Sequence, residues 1–170
     1  MEPFVETVVE DDRWLGLEGL ALRAVRATFG LLGLPEVGLT LCVMGCDDGR
    51  IAGLNAQFRG KPVPTNVLSW PARDLTPDAV GAVPDRPEVG SAEAPESLGD
   101  IALAYETCAA EAAAAAKPMA QHVTHLIVHG LLHLLGYDHL TAPDAARMEA
   151  LEVRILATLA IPDPYGDAET

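Results

Sequence analysis

The stretch His-Gly-Leu-Leu-His-Leu-Leu-Gly-Tyr-Asp-His, from His129 to His139, holds three of the five histidines of the chain. His129 and His133 are four residues apart, so on an α-helix they share one face and can both reach one small cation. Gly136 can adopt the left-handed backbone conformation that ends a helix and turns the chain back toward that face. The pattern therefore predicts a helix that ends at a metal site, with His139 as the third ligand.

The spacing of these histidines is that of the metzincin zinc proteases, which have glutamate directly after the first histidine. Here that position is Gly130. Because the glutamate takes a proton from water in those enzymes, peptide hydrolysis by that mechanism is not expected, and a degenerate metalloprotease is a distant alternative. The alternative without a metal is a set of hydrogen-bonded core histidines. His122 and His125, farther upstream, are expected on the helix surface or behind the ligands.

Composition limits the class of protein. A length of 170 residues suits one domain. No apolar run approaches the ~18 residues of a membrane span, and the amino terminus lacks the pattern of a secretory signal, so a cytoplasmic protein without membrane contact is expected. The net charge of −14 opposes nonspecific attraction to DNA or RNA, so any polyanion must meet a local basic patch. Three cysteines without a Cys-x-x-Cys pair argue against disulfides and a thiolate zinc site.

Hydrophobic periodicity predicts interleaved strands and helices. The expected strands span residues 4–9, 37–44, 67–70 and 98–104, with Gly45 closing the second. The expected helices span residues 13–32, 47–59, 106–117, 118–135 and 143–160. This order predicts a single domain of the α/β (α+β) class, with a mixed sheet of about four strands, about five helices and a metal site on the histidine-bearing helix.

Residues 74–97 contain four prolines and six acidic residues with little periodicity. Such a segment is expected to form an exposed, mobile insertion that folding does not require. A short tail is expected from about residue 162. The whole of 1–170 is otherwise assigned to one domain.

The histidine motif resembles the signature of the YbeY family, bacterial metal-dependent endoribonucleases of ribosomal RNA maturation. The resemblance extends over most of the chain, through Leu54-Asn55 with Arg59, residues 64–71, residues 98–101, Met148-Glu149 and Asp163-Pro164-Tyr165. It implies that His129, His133 and His139 bind one Zn²⁺ per chain and that Arg59 is a catalytic residue lining the substrate cleft. The implied activity is zinc-dependent cleavage of single-stranded RNA in maturation of the 3′ end of 16S rRNA and in ribosome quality control. The implied partners are the small ribosomal subunit with its proteins or an assembly GTPase.

The sequence departs from the family pattern at three places. Asn66 stands where the family usually has aspartate, and Trp70 stands where it usually has phenylalanine. The segment 74–97 is longer than the usual loop. Loss of the carboxylate puts a role as base at position 66 in doubt, and a structural role in a turn is favoured for Asn66.

The remaining site residues keep alternatives open. Arg59 can match phosphate oxygens with its guanidinium, or it can be an ordinary surface residue. Lys61 can contact phosphate or only solvent. Asp138 can orient a ligand imidazole or take a proton, but a residue that caps the turn is equally consistent. A ribosome-assembly module with a structural zinc and little nuclease activity is the alternative function, and a closed four-ligand site would indicate it.

Overall fold

A computed structural model describes residues 4–165, and over this range four strands and five helices alternate in the expected order. The strands are β1 (Phe4–Val9), β2 (Leu39–Cys46), β3 (Val67–Pro71) and β4 (Glu96–Ala104). The helices are α1 (Leu17–Leu32), α2 (Asp48–Arg59), α3 (Tyr105–Ala114), α4 (Met119–Leu134) and α5 (Ala142–Thr158). The predicted fold class is confirmed. The extreme ends assigned to the domain and its tail, 1–3 and 166–170, lie outside the described residues.

The strands form one mixed sheet in the order β1-β2-β4-β3. β1 and β4 both run parallel to β2, whereas β3 pairs antiparallel with β4 and forms an edge of the sheet. In this last pair Ser69 lies opposite Ile101, and Pro71 lies opposite Gly99. Because proline donates no backbone hydrogen bond, Pro71 suits an edge position.

Each face of the sheet carries its own apolar cluster because successive side chains of a strand point to opposite faces. Leu41 and Val43 of β2 pack with residues of α1, α4 and α5 in the larger cluster. Met44 and Cys46 face the other way and pack with residues of α2 in a smaller cluster. The histidine-bearing helix therefore lies on the larger side of the sheet, and α2 lies on the smaller side.

Helix α1 begins four residues later than expected. The Asp11 carboxylate accepts hydrogen bonds from the Arg13 backbone N–H at 3.0 Å and from its guanidinium at 2.7 Å, and this turn interrupts the helical pattern. Gly16, with φ 75°, sets the start of the helix. The turn brings Trp14 into the core, where its Nε1 donates to the Cys46 carbonyl at 2.8 Å.

The expectation that Gly45 closes the second strand is wrong, since β2 continues through it to Cys46. A methyl group at position 45 would lie 2.6 Å from Cγ of Trp14 and 2.7 Å from Cδ2 of Leu17. Glycine is therefore needed there for close packing of the strand against the start of α1 and not for a turn.

None of residues 74–97 is fully buried, but the segment is attached to the helices. The Arg86 guanidinium donates to the carbonyls of Leu32 at 3.1 Å and Gly33 at 2.6 Å, at the end of α1. Gly81 donates to Asp144 Oδ1 at 2.9 Å and accepts from Arg147 at 2.6 Å, both on α5. The last two residues of the segment, 96 and 97, belong to β4. In residues 4–165, no helix is long and apolar enough to cross a membrane.

Candidate metal centre

The candidate metal centre lies where α4 ends. The N–H of Tyr137 donates to the Leu132 carbonyl at 3.0 Å, and the N–H of Gly136 donates to the His133 carbonyl at 3.0 Å. This pair of bonds is the Schellman arrangement, which satisfies the last carbonyls of a helix and reverses the chain direction. The reversal carries His139 back toward the face that bears His129 and His133.

Glycine is required at position 136 for two reasons. Its φ of 100° lies in the left-handed region, which side chains rarely adopt. A methyl group there would also lie 2.6 Å from the Leu75 carbonyl oxygen, which packs against the turn. The sequence prediction of a left-handed glycine at the helix end is confirmed.

The structure brings His129, His133 and His139 together, and one nitrogen of each lies within 4.8 Å of those of the others. The rings of His129 and His139 stack with centroids 5.4 Å apart, and His133 meets both of them edge to face. His129 and His133 are partly buried and His139 is exposed. The group therefore has one side in the protein and one side open to solvent.

The outer hydrogen bonds of two imidazoles fix their tautomers. His133 Nδ1 lies 3.0 Å from the Tyr137 carbonyl oxygen, which can only accept, so Nδ1 carries the proton. His129 Nδ1 lies 2.9 Å from Glu152 Oε2, also an acceptor when ionised. In the neutral rings both Nε2 atoms then carry lone pairs, and they face each other 3.2 Å apart.

Two lone pairs at this distance repel each other unless a proton or a metal ion lies between them. Zinc–nitrogen bonds of 2.0–2.1 Å in a tetrahedral site place ligand nitrogens about 3.4 Å apart. The donor set and its spacing therefore fit a divalent metal ion with imidazole ligands. Burial lowers the pKa of His133 to about 4, helped by the positive charges that His129 and His139 carry when protonated. The neutral form, which is the form that binds a metal, is thus favoured.

A buried carboxylate supports this group from behind. Glu152 of α5 is 0% exposed, and its oxygens bind His125 Nε2 at 2.6 Å, His129 Nδ1 at 2.9 Å and the Tyr165 hydroxyl at 2.6 Å. Burial raises the pKa of Glu152, but these hydrogen bonds outweigh it and hold the value at about 2. Glu152 is therefore an anion that orients the His129 ring.

The role of Glu152 was not predicted from the sequence, although its position carries a signal. Glu152 follows Met148 by four residues, so it falls on the apolar stripe of α5 that includes Ile155. An acidic residue on a buried face needs a partner. The partner could not be named, because α4 and the tail meet α5 only in the folded chain.

The other residues around the motif have separate contacts. His125 binds Glu152 and so lies behind the ligands, whereas His122 Nε2 binds Glu111 at 2.9 Å on α3. Asp138 accepts from the Leu140 backbone N–H at 3.3 Å, which is a turn contact. Within residues 4–165, no hydrogen bond joins Asp138 to a histidine.

Asn66 has the structural role favoured from the sequence. Its side-chain oxygen accepts from the Val67 N–H at 2.7 Å, and its amide nitrogen donates to Glu111 at 3.0 Å. Its own carbonyl accepts from the Ala104 N–H at 3.0 Å. Asn66 thus fixes the start of β3 against β4 and α3.

Arg59 is the last residue of α2, and Lys61 follows the glycine that ends this helix. In the described chain no hydrogen bond joins either residue to the histidines. The Arg59 guanidinium donates to the Ser69 carbonyl on β3 at 3.4 Å. Lys61 is exposed, and its backbone N–H donates to the Asn55 carbonyl at 3.3 Å, just beyond the glycine that ends α2.

The sheet nevertheless brings Arg59 close to the histidine helix. A methyl group at Gly130, next to His129, would lie 3.3 Å from the side chain of Ile101 on β4. Ile101 pairs with Ser69, the residue whose carbonyl binds Arg59. The Arg59 guanidinium thus lies at the edge strand β3, and α4 packs on the next strand, β4. Neighbouring strands are about 4.8 Å apart.

Comparison with known proteins assigns the chain to a family. The family model described as Endoribonuclease YbeY matches residues 17–160. The chain belongs to the YbeY family. An Endoribonuclease YbeY from Dinoroseobacter shibae is 60% identical over 163 residues, which cover 95% of this chain and 90% of that protein. One from Cereibacter sphaeroides is 58% identical over 167 residues, covering 97% and 100%.

Two predictions from the sequence are thereby confirmed: the resemblance of the histidine motif to the YbeY signature, and the enzyme class, endoribonuclease. Among solved structures, the solution structure of TM1509 from Thermotoga maritima matches with a TM-score of 0.56 at 18% identity. The match covers 98% of this chain and 99% of that one. At this identity the likeness supports the fold alone.

Proposed function

We propose that this chain is a zinc-dependent endoribonuclease that cleaves single-stranded ribosomal RNA. The proposed roles are maturation of the 3′ end of 16S rRNA and ribosome quality control, in the cytoplasm. The observation that carries the proposal is the group His129, His133 and His139, with paired Nε2 atoms 3.2 Å apart and one side open to solvent. Family membership adds the substrate class, since the relatives are named endoribonucleases.

Three protein ligands favour an enzyme over a structural zinc site. Structural zinc is almost always held by four protein ligands, whereas catalytic zinc keeps one position for water or substrate. In the described residues the group that could hold a metal has three members, and the exposed one, His139, leaves access from solvent. Zinc, when bound, would supply a Lewis acid and lower the pKa of water to about 7. The alternative, an assembly module with a structural zinc, would need a fourth protein ligand, and none joins this group in residues 4–165.

Arg59 is the proposed catalytic residue of the chain. Its guanidinium can donate two parallel hydrogen bonds to phosphate oxygens, and the charge on these oxygens grows as the scissile bond breaks. Its present bond to the Ser69 carbonyl is long, at 3.4 Å, and would be exchanged for phosphate at little cost. Lys61, two residues on, is proposed to attract the RNA backbone as a mobile charge.

The acidic chain needs help to reach its substrate. With 25 acidic and 11 basic residues, its overall field repels RNA. Proteins of the small ribosomal subunit, or an assembly GTPase, are the proposed partners that hold the enzyme near rRNA. Arg59 and Lys61 then contact the RNA only after these partners have brought the enzyme to it.

The test is single-turnover cleavage of a single-stranded RNA by zinc-loaded protein. Arg59→Gln is expected to cleave about 10² times more slowly, the loss typical of removing one transition-state donor. The matched control is Arg50→Gln on the same helix, since the Arg50 side chain binds Glu10 at 3.2 Å and is expected to leave the rate unchanged. Zinc content and circular dichroism should be unchanged in both variants. Equal rates for Arg59→Gln and wild type would remove Arg59 from the site, and wild-type cleavage without metal would contradict zinc dependence.

A further inference from the structure

An exposed pair of aromatic rings lies beside Arg59. Phe58, in the last turn of α2, is 57% exposed and meets Trp70 of β3 edge to face, with ring centroids 5.7 Å apart and an interplanar angle of 69°. By contrast, Phe29 is completely buried. More than half of the Phe58 surface is thus open to solvent next to a second aromatic ring, where a flat apolar molecule can be covered on one face.

Two cations lie close to Phe58 along the chain: Arg59 follows it directly, and Lys61 is two residues farther on. Arg59 and Lys61 form no ion pair with any acidic group in residues 4–165, and their charges remain available at the surface. Four arginines of the described chain, by contrast, pair with acidic side chains: Arg13 with Asp11, Arg26 with Glu36, Arg50 with Glu10 and Arg73 with Glu88. In a chain of net charge −14, two unpaired cations beside an exposed aromatic ring are the local footprint of a polyanion that carries aromatic groups.

The aromatic pair Phe58 and Trp70 and the histidine helix α4 lie on opposite faces of the sheet. Ser69 and Trp70 are successive residues of β3, so their side chains point to opposite faces. Trp70 packs with the α2 cluster, whereas α4 lies on the other face. Arg59 binds the Ser69 carbonyl and therefore lies at the edge between the two faces. A chain that passed from the aromatic pair to the metal centre would cross this edge at Arg59.

We propose that Phe58 and Trp70 form a stacking site for a nucleobase of single-stranded RNA, whose adjoining phosphates pass Arg59 and Lys61 on the way to the metal centre. This inference rests on the proposed function and adds a binding site to it. Stacking on aromatic side chains is tolerant of base identity, because every base has a π-face. A double helix keeps its bases stacked on one another, so this site selects unpaired RNA.

Tryptophan fluorescence can follow binding at this site directly. The chain has two tryptophans, and Trp14 is 5% exposed with its Nε1 bonded to the Cys46 carbonyl. Quenching by an added base therefore reports on Trp70. The experiment mixes zinc-loaded protein with decauridylate by stopped flow, records the initial fluorescence change before cleavage, and then measures cleavage in the same sample.

Phe58→Leu keeps an apolar side chain but removes the ring, and it is expected to weaken RNA binding about tenfold. Phe58→Tyr keeps the stacking surface and is expected to bind as the wild type does. Leu15→Ala removes an apolar side chain that is 86% exposed elsewhere and is the control for loss of apolar surface. A decamer of abasic ribose phosphates should bind wild type and Phe58→Leu equally, because it offers charge without bases.

Unchanged decauridylate binding by Phe58→Leu, or binding without quenching of Trp70, would overturn the stacking site. If the wild type cleaves the RNA in that case, the proposed function stands and only the stacking site fails. If the wild type neither binds nor cleaves RNA, the function and the stacking site fail together. If the wild type binds the abasic decamer and decauridylate equally weakly, the bases contribute nothing and the stacking site is also overturned.

Discussion

Glu152 and His129 join two helices at the candidate metal centre, with Glu152 Oε2 2.9 Å from His129 Nδ1. The carboxylate is completely buried and also binds His125 and the Tyr165 hydroxyl, both at 2.6 Å. A carboxylate behind a ligand imidazole fixes the orientation of the ring and makes its free nitrogen a stronger ligand. Helix α5 and the chain beyond it thus contribute to a site whose expected ligands all come from α4 and the following turn.

Glu152→Gln should weaken zinc binding because an amide cannot accept hydrogen bonds at both of its ends. We expect zinc affinity to fall about 10- to 100-fold, the range for loss of a carboxylate partner of a metal ligand. Competition with a chelator of known affinity measures the change. Glu149→Gln, one turn earlier on α5, is the matched control and should bind zinc normally. Equal zinc affinity of both variants would show that Glu152 does not position His129.

Gly136→Ala should destabilise the turn that carries His139. The φ of 100° and the 2.6 Å approach to the Leu75 carbonyl oxygen leave no room for a methyl group. We expect the free energy of unfolding to fall by about 1–3 kcal/mol, with weaker zinc binding, as measured by thermal melts and chelator competition. Gly53→Ala is the control, since open space surrounds position 53 on α2 and alanine favours a helix. An unchanged melting temperature for Gly136→Ala would contradict this description of the turn.

Arg86 should stabilise the fold although it lies in the segment 74–97. Its guanidinium donates to the carbonyls of Leu32 and Gly33, where a cation also favours the helix end. Arg86→Ala is expected to cost about 1 kcal/mol, which lowers the melting temperature of a domain of this size by a few degrees. Arg73→Ala removes only exposed ion pairs to Glu88 and Glu96 and should cost little. If both variants have the melting temperature of the wild type, the contacts of Arg86 do not stabilise the fold, and the segment 74–97 is as dispensable as its composition suggests.

The sequence predicted the features that depend on local patterns. The order of strands and helices follows from hydrophobic periodicity, and the end of α4 follows from Gly136. Each of these signals is read from residues that are close together in the sequence. The three histidines came together as expected because two are one helical turn apart and the third follows a predictable turn.

Features that depend on contacts between distant residues were missed. The role of Glu152 requires α5 to pack on α4, and the need for glycine at position 45 requires Trp14 to pack on β2. The start of α1 was predicted too early because the Asp11–Arg13 turn competes with helix formation. The contacts of Arg86 with α1 could not be seen in a segment without periodicity.

The zinc content per chain shows whether His129, His133 and His139 bind one zinc ion. His133→Ala removes the ring whose Nε2 lies 3.2 Å from His129 Nε2, so one of the three ligands is lost. The matched control is His122→Ala on the same helix, since His122 binds Glu111 and not the metal group. After dialysis against a weak chelator, we expect one zinc per chain in wild type and His122→Ala and almost none in folded His133→Ala. One tightly held zinc in His133→Ala would contradict the assignment of the site.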